Sequence, residues 1–129
     1  MLSNEYLIRL NIKKRLKDLQ SDFSKIFEAD LIEYDSENES EWIEVFSKKD
    51  NLYVNISREH NGNPDKSRNP ISIMLDFHNY KEDMLENNKK IAELISKHLD
   101  VTVSFGKSEW ISPTVGYKFI VLGNYFVKK

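Results

Sequence analysis

The sequence predicts an α+β protein in which two helices pack on one face of a mainly antiparallel sheet of five to six strands. Two observations lead to this prediction. Apolar residues recur every three to four positions in two stretches, and at every second position in several others. The predicted order is α-β-β-β-(β)-α-β-β, which favours helices gathered on one face of the sheet. A chain of 129 residues corresponds to one domain, residues 1–129.

The first predicted helix occupies the N-terminal part of the chain. Ser3 or Asn4 can cap its start through a side-chain oxygen. Its apolar positions follow spacings of 4, 4, 3, 4 and 3, which trace one face of a 3.6-residue repeat: Ile8, Ile12, Leu16, Leu19, Phe23 and Ile26. This stripe predicts a helix that faces the core.

Alternating stretches predict the strands. Apolar and polar residues alternate over 52–57 and over 71–77, and residues 42–46 form a third strand candidate. Residues 48–51 predict a tight turn between two of these strands, and residues 59–69 predict a polar loop.

A second helix is predicted from about Tyr80 to Leu99, with Asn79 as its cap. A short strand over residues 101–105 follows it. A last strand is predicted to begin at Tyr117 and to extend as far as Val127.

The composition excludes several classes of function. Without cysteine the chain has no disulfide framework, cysteine nucleophile or thiolate zinc site. The N-terminus has no apolar run of signal-peptide or membrane-spanning length, so a cytoplasmic protein without membrane association is expected. A net charge of −2 disfavours nucleic-acid binding.

No catalytic motif is present, so the sequence predicts a protein that is not an enzyme and needs no cofactor or metal. The Gly-Lys-Ser at 106–108 has Val101 where a phosphate-binding loop requires glycine. Asp76 and His78 are two residues apart and would share one face of a strand. They are the only local pair that suggests a metal or an acid–base site, and two ligands do not complete one.

The acidic residues are concentrated in one segment. Residues 29–50 hold eight acidic and two basic side chains, a net charge of −6. The segments before and after it each have a net charge of +2. Trp42 lies within this segment and offers an aromatic anchor of the kind that interfaces use. The candidate partner-binding residues are Glu33, Asp35, Glu37, Glu39, Glu41 and Trp42. The alternative is a solvated turn that only aids solubility.

A small, cysteine-free α+β chain with an acidic patch and no catalytic motif resembles bacterial immunity proteins, especially those of contact-dependent growth inhibition and related toxin systems. The segment Ile91–Leu99 running into Val101–Gly106 is similar to the late helix–strand unit of several such proteins. The resemblance implies a cytoplasmic protein that binds a cognate toxin domain, often a basic nuclease, and blocks its active site. It assigns no functional residue.

Two other functions are left open. Small acidic secretion chaperones resemble the predicted order of helices and strands, but this chain ends in an aromatic strand from Tyr117 to Val127 instead of a third helix. A small hydrolase or nuclease would use Asp76, His78 and an acid from elsewhere in the fold. The oligomeric state is not predicted.

Overall fold

The computed structural model describes residues 5–49, 51–60, 69–77 and 84–125. Within these ranges no helix is long and apolar enough to cross a membrane. The described elements are β1 (Glu5–Leu10), a 3-10 helical turn (Leu16–Leu19), α1 (Gln20–Phe27), β2 (Leu31–Ser36), β3 (Ser40–Ser47), β4 (Leu52–Glu59), β5 (Ile71–Phe77), α2 (Met84–Leu99), β6 (Val103–Ser112) and β7 (Gly116–Tyr125).

The seven described strands form one antiparallel sheet in the order β2-β3-β4-β5-β1-β6-β7. The predicted α+β class is confirmed. The predicted strand number of five to six is too low, and the predicted order is wrong at its start, because a strand precedes the first helix. The N-terminal strand thus lies between β5 and β6, whose sequences come much later in the chain.

β1 occupies the first part of the predicted first helix. Tyr6, Ile8 and Leu10 alternate with Leu7 and Arg9, so the segment also carries a period of two. Ile8 fits both the helical and the strand period, which made the helical prediction plausible. The strand is favoured because its two neighbours bury Ile8 and Leu10 almost completely. Only the later residues of the predicted stripe, Leu16 to Ile26, are helical, and they lie in the 3-10 turn and α1.

β2 is the second strand that the sequence pattern does not predict. Acidic residues are depleted in strands, so a stretch with an acid at every second position indicates a turn. Ile32 and Tyr34, however, pair with Val45 and Ile43 of β3. The acids therefore alternate with side chains that pack against the core.

The other predicted elements are placed close to their expected bounds. Residues 42–46 lie within β3, and Asn51 N–H donates to the Lys48 carbonyl at 3.1 Å in the predicted tight turn. α2 is described from Met84, so its predicted start at Tyr80 and the Asn79 cap lie outside the described residues, as do Ser3 and Asn4. β6 continues to Ser112, well beyond the short strand predicted.

The core lies between the helices and one face of the sheet, called here the inner face. The opposite side is the outer face. Alternate strand residues and the apolar sides of both helices form one buried cluster, which includes Phe23, Ile56, Ile73, Ile95 and Phe105. A contiguous cluster of this size indicates that burial of apolar surface is the main stabilising term. Phe119 of β7 lies on the outer face instead, where the Arg9 guanidinium stacks on its ring at 4.5 Å.

Close approach of β7 to β6 requires glycine at position 106. A Cβ atom there would collide with the carbonyl oxygen of Ile120 and lie 2.9 Å from its carbonyl carbon. We expect Gly106→Ala to lower the free energy of unfolding by about 1–3 kcal/mol, since backbone must move. Gly123→Ala is the matched control, because nothing lies within 4 Å of its Cβ position. Equal urea midpoints for the two variants would contradict this prediction.

Candidate partner-binding site

The outer face of strands β2 to β5 is acidic. The strand register places five carboxylates on it, which we call the acidic face: Glu33, Asp35, Glu44, Glu59 and Asp76. On these four strands, the described positions that point to the outer face hold no lysine or arginine. Carboxylates gathered on one side of a sheet create a negative potential over that surface.

Trp42 lies at the centre of the part of this face formed by β2 and β3. It stands directly across from Asp35 in the register, while Glu33 stands across from Glu44. These four residues and Tyr34 line a shallow depression of about 480 Å³. The half-buried indole therefore offers an apolar surface with carboxylates on both sides, a combination suited to the stem and head of a lysine or arginine.

The charges on this face work against folding. Glu33 and Glu44 are direct cross-strand partners, and like charges in that position are destabilising. The pKa of Tyr53, on the adjacent strand, is raised first by burial and then by the charge and the hydrogen bond of Glu44. The described outward positions of these strands thus hold negative charge and no lysine or arginine. Cationic groups from a partner would relieve this repulsion.

Glu37 and Glu39 lie beside the acidic face instead of on it. They are exposed in the turn between β2 and β3, where they line a second depression of about 450 Å³ with Asn38 and Ser40. The turn is fixed by backbone, since Glu37 N–H donates to the Ser40 carbonyl at 2.8 Å. These two acids extend the negative surface along one end of β2 and β3.

Glu41 is not part of the surface, and its prediction as a partner-binding residue is wrong. Its side chain is 0% exposed and points to the inner face. The Tyr34 hydroxyl donates to its Oε1 at 2.8 Å, and Arg15 Nε lies 3.9 Å from the same oxygen. The reason is the strand period: residue 41 has the parity of Ile43 and Val45, so it points into the protein while Trp42 points out.

Arg58 is the cross-strand neighbour of Glu41 and shares its burial. Its guanidinium donates to the carbonyl oxygens of Ile12 and Lys14, both at 2.7 Å. Burial lowers the pKa of Arg58, and the charge of Glu41 opposes that shift. Arg58 thus ties the segment between β1 and α1 to the end of β4, beside the start of β3. Together with Arg15 and Tyr34, Glu41 and Arg58 form what we call the Glu41 network.

Tyr34 links the Glu41 network to the acidic face, because its neighbours along β2 are Glu33 and Asp35. Arg15 Nη2 donates to its hydroxyl at 3.1 Å. Burial raises the pKa of Tyr34 most, the hydrogen bond and charge of Glu41 raise it further, and Arg15 partly offsets them. The Glu41 network holds β2 from the inner face through Tyr34. The backbone that carries Glu33 and Asp35 on the outer face is therefore held in place.

Because the pKa of Tyr34 is raised in the folded protein, the free energy of unfolding should fall at alkaline pH. The contribution of Tyr34 is present below its unfolded pKa, near 10, and is lost as pH rises through the higher folded pKa. We expect Tyr34→Phe to lower the free energy of unfolding by about 1 kcal/mol at pH 7, and to flatten its decline above pH 10. Urea unfolding across pH 7–11 measures this. An unchanged slope would contradict it, and Tyr117→Phe on the β6–β7 hairpin is the control.

The sequence candidates for acid–base or metal chemistry are dispersed. Asp76 lies exposed on the outer face, and His78 falls outside the described residues. His98 Nε2 is 3.3 Å from Asp22 Oδ1, so it joins α2 to α1. Among the described residues, no group of three or more His, Asp and Glu side chains could hold a metal ion.

Three members of the acidic face were not predicted as partner-binding residues: Glu44, Glu59 and Asp76. Each lies at the outward position of an alternating strand, next to Val45, Arg58 and Leu75 respectively. The alternation that predicts the strands already assigns their direction. What the sequence pattern does not give is the strand order, which brings β2, β3, β4 and β5 side by side.

A comparison of the chain with protein-family models, with curated proteins and with solved structures gave no match.

Proposed function

We propose that this chain is a cytoplasmic immunity-type protein that binds a basic toxin domain and blocks it. The observation that carries the proposal is the acidic face: five outward carboxylates on four adjacent strands, with no lysine or arginine at their described outward positions. Trp42 adds an aromatic anchor within it. The resemblance in size and charge layout to immunity proteins of contact-dependent growth inhibition supports the same proposal.

Charge of this kind acts on the encounter between two proteins. A negative face speeds association with a positive one and disfavours acidic or neutral competitors. Toxin nucleases carry positive surfaces because they bind a polyanion, so they fit the acidic face by charge. An inhibitor that covers such a surface needs no catalytic residue, no cofactor and no contact with nucleic acid or membrane.

The site is also preorganised. Glu33 and Asp35 lie on β2, whose inner side is held through Tyr34 by Glu41 and Arg15. Trp42 and Glu44 lie on β3, whose alternate residues are buried in the core. A rigid surface loses little conformational entropy on binding, which favours tight association.

Asp76 has a different role in this proposal from the one that a hydrolase would give it. It adds charge to the acidic face on β5, three strands from β2. The proposal therefore predicts that Asp76→Asn lowers affinity slightly and that the isolated chain does not cleave nucleic acid. Nuclease activity that is lost in Asp76→Asn would favour the hydrolase alternative.

The test is co-expression with the protein encoded by the adjacent gene. We expect that protein to arrest growth when it is produced alone, and growth to be restored when this chain is produced with it. The two should co-purify at low salt and separate as salt rises, since screening weakens charge attraction. A neighbouring product that is not toxic but is held unfolded by the chain would favour the chaperone alternative and contradict the proposal.

A further inference from the structure

Exposed apolar side chains are concentrated on the hairpin of β6 and β7. Among the described residues, Leu31, Met74 and Leu94 are isolated examples elsewhere. Six others belong to this hairpin: Trp110, Ile111, Val115, Tyr117, Val121 and Leu122. A concentration of exposed apolar side chains on one element indicates an interaction surface.

The hairpin also forms an open edge of the sheet. Among the described residues β7 pairs with β6 alone, so its outward N–H and C=O groups are available to another strand. The opposite edge differs, because β2 has six residues and carries two acids that disfavour pairing. β7 has ten residues, and Lys118 is its one charged side chain. The occupant that this edge fits is therefore a β-strand.

We propose that this strand is β7 of a second copy of the chain, antiparallel and related by a twofold axis at Phe119. In this register Tyr117, which is 41% exposed, lies opposite Val121 of the partner subunit, which is 51% exposed. Lys118 lies opposite Ile120 of the partner subunit, so no like charges face each other. The edge is self-complementary, as a closed twofold interface requires.

Local structure supports the same register. Pairing with β6 is regular from Tyr117 to Val121 and breaks at Leu122, where the ladder is shifted. The regular run is centred on Phe119. On its outer side the Arg9 guanidinium stacks on the Phe119 ring, and Trp110 packs edge-on against Tyr117 with centroids 5.2 Å apart. These contacts hold the side chains that the second copy would cover.

The proposal is independent of the acidic face. That face begins at β2, at the other edge of the seven-stranded sheet. A dimer formed through β7 leaves both acidic faces accessible, so a dimer could bind two toxin domains. Loss of self-association without loss of partner binding would separate the two proposals.

Sedimentation velocity over a range of concentrations tests the dimer. We expect the unmodified chain to shift from monomer to dimer, and Val121→Lys to raise the dissociation constant at least about tenfold. Leu94→Lys is the matched control, because Leu94 is similarly exposed, at 44%, but lies on α2. A chain that stays monomeric at all concentrations would overturn the proposal, as would equal effects of the two variants.

Introduced cysteines test the register, and the chain has no cysteine of its own. Under oxidation, Tyr117→Cys mixed with Val121→Cys should form a disulfide-linked dimer, because the two positions face each other across the axis. Neither variant alone should form this dimer, because its two cysteines would not lie opposite each other. Leu31→Cys, on the β2 edge, should also remain monomeric. A disulfide-linked dimer of Leu31→Cys would place the contact at β2. No disulfide-linked dimer in the mixture of Tyr117→Cys and Val121→Cys would contradict the proposed register.

Discussion

Replacing Arg58 with methionine is expected to lower the free energy of unfolding by about 3–5 kcal/mol. The substitution removes the donors to the carbonyl oxygens of Ile12 and Lys14, each at 2.7 Å. It also leaves the carboxylate of Glu41, which is 0% exposed, without its cross-strand cation. The Glu41 carboxylate keeps the Tyr34 hydroxyl at 2.8 Å and Arg15 Nε at 3.9 Å, but it loses one of the two cations that offset the cost of its burial. Urea denaturation followed by circular dichroism measures the change.

A double-mutant cycle separates the two causes. Glu41→Leu alone should also be strongly destabilising, whereas Glu41→Leu with Arg58→Met should recover part of the loss, because neither buried charge then remains without its cross-strand neighbour. Recovery should be incomplete, since the hydrogen bonds to the segment before α1 stay broken. Lys49→Met is the surface control. Its ion pair with Glu28 at 2.8 Å is exposed and should contribute at most about 1 kcal/mol. Strictly additive single effects would contradict coupling between Glu41 and Arg58.

Reversing three acids of the acidic face is expected to slow association with the proposed toxin partner at least about tenfold. The variant is Glu33→Lys, Asp35→Lys and Glu44→Lys, which changes the charge around Trp42 without touching the core. The association rate of the unmodified protein should fall steeply as salt rises, because screening shortens the range of the attraction. Stopped-flow or surface plasmon resonance with the purified toxin domain measures both rates.

The matched control reverses three exposed acids on the helical side: Asp18, Glu86 and Glu93. It makes the same change in net charge, so an equal effect on the association rate would show that overall charge, and not the acidic face, governs binding. Trp42→Ala should act on dissociation instead, because it removes an apolar anchor and leaves the charges in place. If the face variant associates as fast as the unmodified protein at low salt, the acidic face is not the interface.

The local pattern of the sequence determined most strand and helix positions and part of the site. Strict alternation in residues 52–57 and 71–77 predicted β4 and β5, because a half-buried strand exposes every second side chain. The recurrence of acids before Trp42 predicted a negative surface there, and Glu33, Asp35 and Trp42 do lie together on it. Charge density and period are local properties, so they can be read without knowing which strands become neighbours.

The strand at β1 and the burial of Glu41 were decided only by the tertiary structure. Ile8 satisfies two periods, and β1 is a strand because β5 and β6, distant in sequence, bury it on both sides. Glu41 looked like one more exposed acid, yet the strand period turns it inward, and Arg15, Tyr34 and Arg58 from three other segments offset the cost of burying its charge. In both cases the local sequence pattern is compatible with two outcomes. The contacts that choose between them come from residues far along the chain, so the choice requires the folded structure.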